Sequence, residues 1–369
     1  MRVLMISKAL VVGIYQRKLE AIARHTEIDL TVLVPSEWRD PSGVQPLEYA
    51  HTEGYHLIPT SVGFNGDYHL HYYPALPRLL RRYQPQLVHI DEEPYNLATW
   101  HALYHAKKIG AKAVFFAWQN IYRRYPPPFA WGERWTLRAA AGAIAGTPSA
   151  AQVLKQKGCT LPMLVLPQFG VDPHDFAPSN PPDGTPVIGF VGRLRPEKGA
   201  DLLIRAAARL RDQGQLFQVV IVGQGPYREA LQALVTELDL DQQVSFVGQV
   251  KSTEMKPLYA SFSALVLPSR TARTWKEQFG RVLIEAMACG VPVIGAESGD
   301  IPYVIGDAGL TFPEGDVLAL ADRIAAVLSD PFLAAHLRER GRSRVVQHFT
   351  HERIAALTVD FYHRLEKGT

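Results

Sequence analysis

Ala264-Leu265-Val266-Leu267-Pro268, then a polar stretch, then Glu277-Gln278-Phe279-Gly280-Arg281-Val282-Leu283-Ile284-Glu285: this part of the sequence decides the fold. The first run is wholly apolar and stops at a proline, as a strand buried on both faces does. Gly280 to Cys289 has the apolar spacing of a helix packed on a sheet. Strand, loop and helix in that order form the repeating unit of a parallel α/β sheet. Glu277 then falls in the loop and Glu285 on the helix, with seven residues between them. Gly280, without a Cβ, lets a ligand come close to the backbone, and the N–H groups of the first helical turn attract a phosphate. A carboxylate just beyond can accept hydrogen bonds from hydroxyls, as acidic groups do for ribose. One short segment can therefore hold a phosphate, a ribose and a second polyol; on spacing alone it also reads as a surface loop with two solvated glutamates.

The same alternation extends in both directions. Upstream lie apolar strands at Val187–Val191, Val219–Val222 and Val244–Val247, each followed by a helical period, and downstream lies Val291–Ile294. The first half repeats the pattern with strands at Val3–Ile6, Leu30–Val34, Leu87–Ile90, Ala113–Phe116, Ala143–Ala145 and Met163–Leu166, while 35–75 shows no strong period beyond a short strand at His56–Pro59. Pro167 to Pro186 holds several prolines and no apolar period, and reads as an interdomain linker. Residues 1–170 form one Rossmann-like domain, 171–350 a second, and 351–369 a terminal helix with Ile354, Leu357 and Phe361 at helical spacing. Two such halves imply a cleft between them, with ligands at the carboxyl ends of the strands.

With 369 residues, 47% hydrophobic and 20% charged, the chain has the composition of a soluble two-domain protein. No stretch approaches the roughly 20 apolar residues of a membrane span, and the start is too short and strand-like for a signal peptide, so a cytoplasmic location is expected. Two cysteines, Cys159 and Cys289, indicate neither a disulfide framework nor a cysteine metal site. The first 170 residues hold 18 of the 39 basic and 12 of the 36 acidic residues, leaving 21 against 24 in the rest. A basic first half suits an anionic partner. Arg78, Arg81 and Arg82 beside Leu76, Leu79 and Leu80, and the run Tyr122-Arg123-Arg124-Tyr125, suit peripheral contact with a membrane inner face or a lipid-linked acceptor; a solvated helix face is the alternative.

After strand Val187–Val191 comes Gly192-Arg193-Leu194-Arg195-Pro196-Glu197-Lys198-Gly199, with Arg193 and Lys198 where a diphosphate would lie. Gly223-Gln224-Gly225 ends the next strand, and Gly248-Gln249-Val250, after the strand beyond it, either presents backbone groups to a base edge or only makes a turn. His89-Ile90-Asp91-Glu92-Glu93-Pro94 places three acids at a strand end, of which Glu93 or Asp91 is expected to touch acceptor or donor.

Together these residues resemble the retaining glycosyltransferases of family 4, which have the GT-B fold. The resemblance rests on Gly189–Leu194 with Lys198-Gly199, on Val222–Pro226, on Val247-Gly248, on Pro268-Ser269, and on Glu277 to Glu285 continuing through Ala286 to Val293, and covers nearly the whole second half. It implies an α/β GT-B architecture: two Rossmann-like parallel-sheet domains facing a cleft, with the C-terminal helix crossing back to the first domain. It implies transfer of a hexose from a UDP- or GDP-sugar to a glycan, lipid-linked or small-molecule hydroxyl with retention, without metal or cofactor, and no nucleic acid as partner. By resemblance Glu285 binds the donor ribose, Glu277 a hydroxyl of the transferred sugar, and Arg193 and Lys198 the diphosphate. The backbone of Phe279, Gly280, Val282 and Leu283 lies against sugar and phosphate, with Gly192, Val250, Gly13 and Glu93 as further binding positions. The first half departs from the family pattern. Gly13 stands alone where members often have a glycine pair, and Trp118-Gln119-Asn120 stands where many carry a histidine. The alternatives are a sugar-nucleotide epimerase or phosphorylase of related architecture, or a non-catalytic nucleotide-sugar-binding protein.

Overall fold

A computed structural model describes residues 1–40, 43–178, 184–250 and 254–368. It divides into two units, Met1–Gly170 with His351–Thr369, and Val171–Thr350.

The first unit is built in the order β1 (Arg2–Ile6), α1 (Arg17–Ala23), β2 (Asp29–Pro35), β3 (Glu37–Asp40), β4 (Gly43–Pro46), β5 (His56–Thr60), α2 (Leu76–Tyr83), β6 (Leu87–Ile90), α3 (Leu97–Lys108), β7 (Lys112–Ala117), α4 (Phe129–Ala139), β8 (Gly142–Ala145), α5 (Pro148–Gln156) and β9 (Met163–Val165). Seven strands form one parallel sheet in the order β5-β2-β1-β6-β7-β8-β9, and β3 and β4 pair as a separate antiparallel hairpin. Alternation along β1 explains the layering. Val3 and Met5 face a core that includes Leu19 and Ile22 of α1, whereas Leu4 and Ile6 face one made with Leu80 of α2, Leu103 of α3 and Leu154 of α5.

The second unit holds β10 (Val187–Val191), α6 (Ala200–Asp212), β11 (Gln218–Val222), α7 (Arg228–Glu237), β12 (Val244–Val247), α8 (Met255–Ala260), β13 (Ala264–Leu267), α9 (Arg281–Ala288), β14 (Val293–Ala296), α10 (Ile301–Ile305), β15 (Leu310–Phe312), α11 (Val317–Ser329) and α12 (Pro331–His348). Its six strands are all parallel in the order β12-β11-β10-β13-β14-β15. Both sheets are thus α/β and Rossmann-like, as the apolar runs predict.

The last helix, α13 (His351–Lys367), belongs to the first unit. Ile354, Phe361, Tyr362 and Leu365 are buried in the same core as Val3 and Met5. The Tyr362 hydroxyl lies 2.5 Å from His89 Nδ1, and Lys112 Nζ donates to the carbonyls of Leu365 and Glu366 at 2.6 and 2.8 Å.

The linker expected over Pro167–Pro186 needs correction. Val171 to Phe176 is already part of the second unit: the Val171 N–H donates to the Phe349 carbonyl at 2.9 Å, and Phe176 is buried with its ring against Tyr259. The Arg342 guanidinium fastens this segment through the carbonyls of Pro173 and Phe176, at 2.9 and 3.0 Å. Positions 179–183 of the expected linker lie outside the described residues. Local composition shows prolines but not Arg342, which lies far along the chain.

Candidate functional site

Because every strand of the second sheet is parallel, the loops after β10, β11, β12 and β13 leave the sheet at one edge. Glycines let those loops close on one another. Gly199 adopts φ +73°, and a Cβ there would fall 1.9 Å from the Pro268 carbonyl oxygen. Gly223, at φ +135°, is equally close to the Gly192 carbonyl. Only glycine fits such contacts, and the first of them brings the turn Pro196–Lys198 against the end of β13. Arg270 then ties the loops together: its backbone N–H donates to the Glu197 carbonyl at 2.8 Å, and its guanidinium reaches the Pro196 carbonyl and Asp201 at 2.8 and 2.7 Å.

The result is a charged cluster. Lys198 Nζ lies 2.6 Å from Glu277 Oε2, which also accepts the Ser269 hydroxyl at 3.0 Å, and the ammonium sits 4.7 Å above the Trp275 ring. Glu277 is 7% exposed, so its charge is matched by Lys198 in a largely dry setting. Its own carbonyl is gripped from the loop after β14, where the Asp300 N–H donates to it at 3.3 Å. A cavity of about 320 Å³ opens here, lined by Arg193, Arg195, Glu197, Lys198, Trp275, Glu277 and Gln278. Arg193 is exposed at its rim. Beyond Glu277 the chain turns through Gly280, at φ +74°, into α9, whose N-terminus no side chain caps. First-turn N–H groups of a helix lack partners within it and favour an anion.

Glu285 is held one turn into α9. Its Oε2 accepts the Tyr259 hydroxyl at 2.7 Å and its Oε1 lies 2.8 Å from Arg281 Nε. One hydrogen bond and one ion pair leave lone pairs on both oxygens, so the carboxylate is oriented rather than blocked. Burial and the Glu285 charge push the Cys289 thiol up to about 12, which rules it out as a thiolate nucleophile at neutral pH.

In the first unit the three acids after β6 separate by environment. Glu92 is wholly buried between Lys8, with which it pairs, and His71 Nε2 at 3.2 Å; burial pushes its carboxyl up, but these partners hold it down at about 2. Asp91 Oδ2 accepts Ser7 Oγ and Gln168 Nε2 at 2.7 and 2.8 Å. Glu93 Oε1 accepts the Trp118 N–H at 2.8 Å, while Oε2 has no partner among the described residues. Burial pushes Glu93 from the ordinary 4.5 up to about 7. Between those values the folded chain keeps a proton that the unfolded chain has lost, so stability falls as pH rises through that window. Glu93→Gln is expected to flatten the fall. Urea midpoints across the window check this, and parallel profiles for the two proteins would count against a protonated Glu93.

Residues 171–344 match the family model described as glycosyl transferases group 1, and residues 12–167 match that of a glycosyl transferase 4-like domain. The chain is 32% identical over 269 residues to a 2-deoxystreptamine glucosyltransferase of Streptomyces kanamyceticus, a match covering 69% of this chain and 68% of that one. This chain belongs to the group 1 glycosyltransferases. It is also 35% identical over 189 residues to a GDP-mannose-dependent phosphatidylinositol monomannoside mannosyltransferase of Mycolicibacterium smegmatis; that match spans about half of each protein, 47% of this chain and 49% of the relative. Among solved structures it is similar to Anabaena HepE in complex with UDP, with TM-score 0.74 and 18% identity over 98% of this chain and all of the other, a likeness of fold.

In this glycosyltransferase, Arg193, Lys198, Glu277, Phe279 and Gly280 come together at one sheet edge, with Val282 and Leu283 in the first turns of α9. Gly192 packs against Gly223 at the same edge, and Val250 follows β12, the outer strand there. Gly13 starts a short 3-10 turn in the first unit, and its N–H donates to Glu48 Oε2 at 2.7 Å. Sequence reading missed Trp275, Tyr259 and Glu48. A tryptophan two positions before Glu277 was the one available signal; the others are joined to their partners only by the fold.

Glu285→Ala is expected to weaken nucleoside diphosphate binding by about 1.5–3 kcal/mol, the worth of a hydrogen bond to a charged group. Tyr259→Phe, which keeps the carboxylate, should lose less. Calorimetry that finds both variants equal to the wild type would remove Glu285 from the ribose.

Proposed function

We propose that this glycosyltransferase moves a hexose from a UDP- or GDP-sugar to an acceptor hydroxyl with retention of anomeric configuration, and that it does so without a metal ion. One observation carries the reading: the second unit sets three cations, Arg193, Arg195 and Lys198, the ion-paired carboxylate of Glu277 and the Trp275 ring around one cavity, and the chain leaving it from Glu277 and Gln278 turns through Gly280 into the N-terminus of α9. That set suits a substrate with a diphosphate joined to a polyol. Arg193, Lys198 and the start of α9 stabilise the charge developing on the leaving diphosphate. Diphosphate bound to Lys198 frees Glu277 to accept a sugar hydroxyl. The glycosidic C–O bond breaks toward the phosphate, a new C–O bond forms on the same face, and the departing phosphate takes the acceptor proton. The UDP in HepE and the GDP-mannose dependence of the mannosyltransferase support a nucleotide-sugar donor, and lipid-linked, glycan and small-molecule hydroxyls are the acceptor classes.

Incubation with a panel of UDP- and GDP-sugars, followed by assay for released nucleoside diphosphate, tests this. One or a few donors should turn over, and an epimerised donor without release would favour the epimerase instead. Turnover is expected to survive EDTA, because Arg193 and Lys198 stand in the electrostatic role of a cation. Loss of activity with EDTA and its recovery with Mg²⁺ or Mn²⁺ would contradict that part.

A further inference from the structure

We propose that the outward face of α4, in the first unit, docks this protein on an anionic lipid surface.

The helix has two distinct sides. Gly132, Glu133, Thr136 and Leu137 pack inward or lie close to α3, while Trp131, Arg134, Trp135 and Arg138 are exposed. Those four follow i, i+3, i+4, i+7 spacing and so share one face. A glycine seats the helix: a Cβ at Gly132 would fall 2.0 Å from the Trp100 ring, so α4 packs closely on α3 at this position with its tryptophans on the outward side. Trp131 is 64% exposed and Trp135 36%, and Tyr122, on the loop leading to the helix, is 45% exposed. Large aromatic side chains grouped on one exposed face mark a surface that meets something.

Charge selects the occupant. Between Tyr122 and Arg138 the chain carries Arg123, Arg124, Arg134 and Arg138 against a single acid, Glu133, which is buried and paired with Lys157 Nζ at 2.5 Å. A cavity of about 360 Å³ beside the face is lined by Tyr122, Arg123, Arg124, Tyr125, Glu133, Arg134 and Lys157, among others; Glu133 and Lys157 neutralise each other, and the three arginines with the phenol rings leave a cationic setting that suits a lipid phosphate headgroup. Tryptophan and tyrosine favour the interfacial layer of a bilayer, and arginines are drawn to its anionic headgroups. The segment with Arg78, Arg81 and Arg82, which the sequence also suggested for this role, forms α2. There Leu76 and Leu80 are buried in the core and Leu79 packs partly buried against it, so α2 offers charge but no large apolar side chain that is fully exposed.

The test is cosedimentation of the full chain with vesicles of phosphatidylcholine alone and of phosphatidylcholine with about 30% phosphatidylglycerol. Wild type should pellet at least about tenfold more with the anionic vesicles and be released by about 0.5 M NaCl. Trp131→Ala/Trp135→Ala and Arg134→Glu/Arg138→Glu should each abolish the enrichment. Phe332→Ala, which alters an aromatic 88% exposed on the second unit, should leave it unchanged. Equal pelleting of wild type and the two face variants overturns the proposal, as does absence of wild type from both pellets. Sedimentation equilibrium that shows a dimer dissolved by Trp131→Ala/Trp135→Ala would assign the face to a second copy and also overturn it. Since the readout is sedimentation, failure here leaves sugar transfer standing.

Discussion

Lys198→Ala is expected to lower kcat for sugar transfer by roughly 10²–10³-fold, the cost of removing one preorganised donor from developing negative charge. The ammonium reaches the cavity from the end of a short turn, flanked by Glu277 at 2.6 Å and the Trp275 ring at 4.7 Å, so little reorganisation is needed to place it on a phosphate. Removing it also leaves Glu277, 7% exposed, without its counter-charge, and the unfolding midpoint should fall as well. Arg193→Ala should share the kinetic loss but not the loss of stability, because Arg193 is exposed. That contrast separates charge stabilisation from scaffolding. Released nucleoside diphosphate, followed at saturating donor with protein confirmed folded, gives the comparison; a kcat within about threefold of wild type for both variants would remove the cations from the chemistry.

Glu277→Gln is expected to cut kcat by roughly 10- to 100-fold while leaving affinity for free nucleoside diphosphate unchanged or higher. The amide keeps the shape of the side chain but loses the charge that holds Lys198 and would accept a sugar hydroxyl. Since the two side chains touch, Lys198→Ala and Glu277→Gln should be strongly non-additive when combined. Equal weakening of free nucleotide and intact donor by Glu277→Gln would show that the carboxylate serves the phosphate side.

The fold was legible wherever burial leaves a local period. β13 and α9 stand out in the sequence because a two-sided buried strand is continuously apolar and a sheet-packed helix repeats every three to four residues. Gly280 could be marked as a site of close approach, and it adopts positive φ. The less legible parts share a cause. α2 lies between prolines and arginines, the β3–β4 hairpin is short and mostly exposed, and α10 and β15 are of five and three residues, too brief to show a period. Partners distant in sequence were also hidden: Glu48 on the Gly13 amide is 35 residues away and Tyr259 on Glu285 is 26. The three acids of Asp91–Glu93 look alike in sequence, and only packing separates the ion-paired Glu92 from Glu93 with its open oxygen.

The central claim is that the loops after β10 and β13 hold the diphosphate of a nucleotide sugar. Calorimetric titration of UDP and of GDP into wild type and into Arg193→Ala/Lys198→Ala tests it most directly. Wild type should bind one of the two nucleotides at one site per chain, and the double variant should bind that nucleotide at least about tenfold more weakly, a difference of about 1.4 kcal/mol or more. The same Kd for both proteins would contradict the account and place the diphosphate elsewhere on the chain.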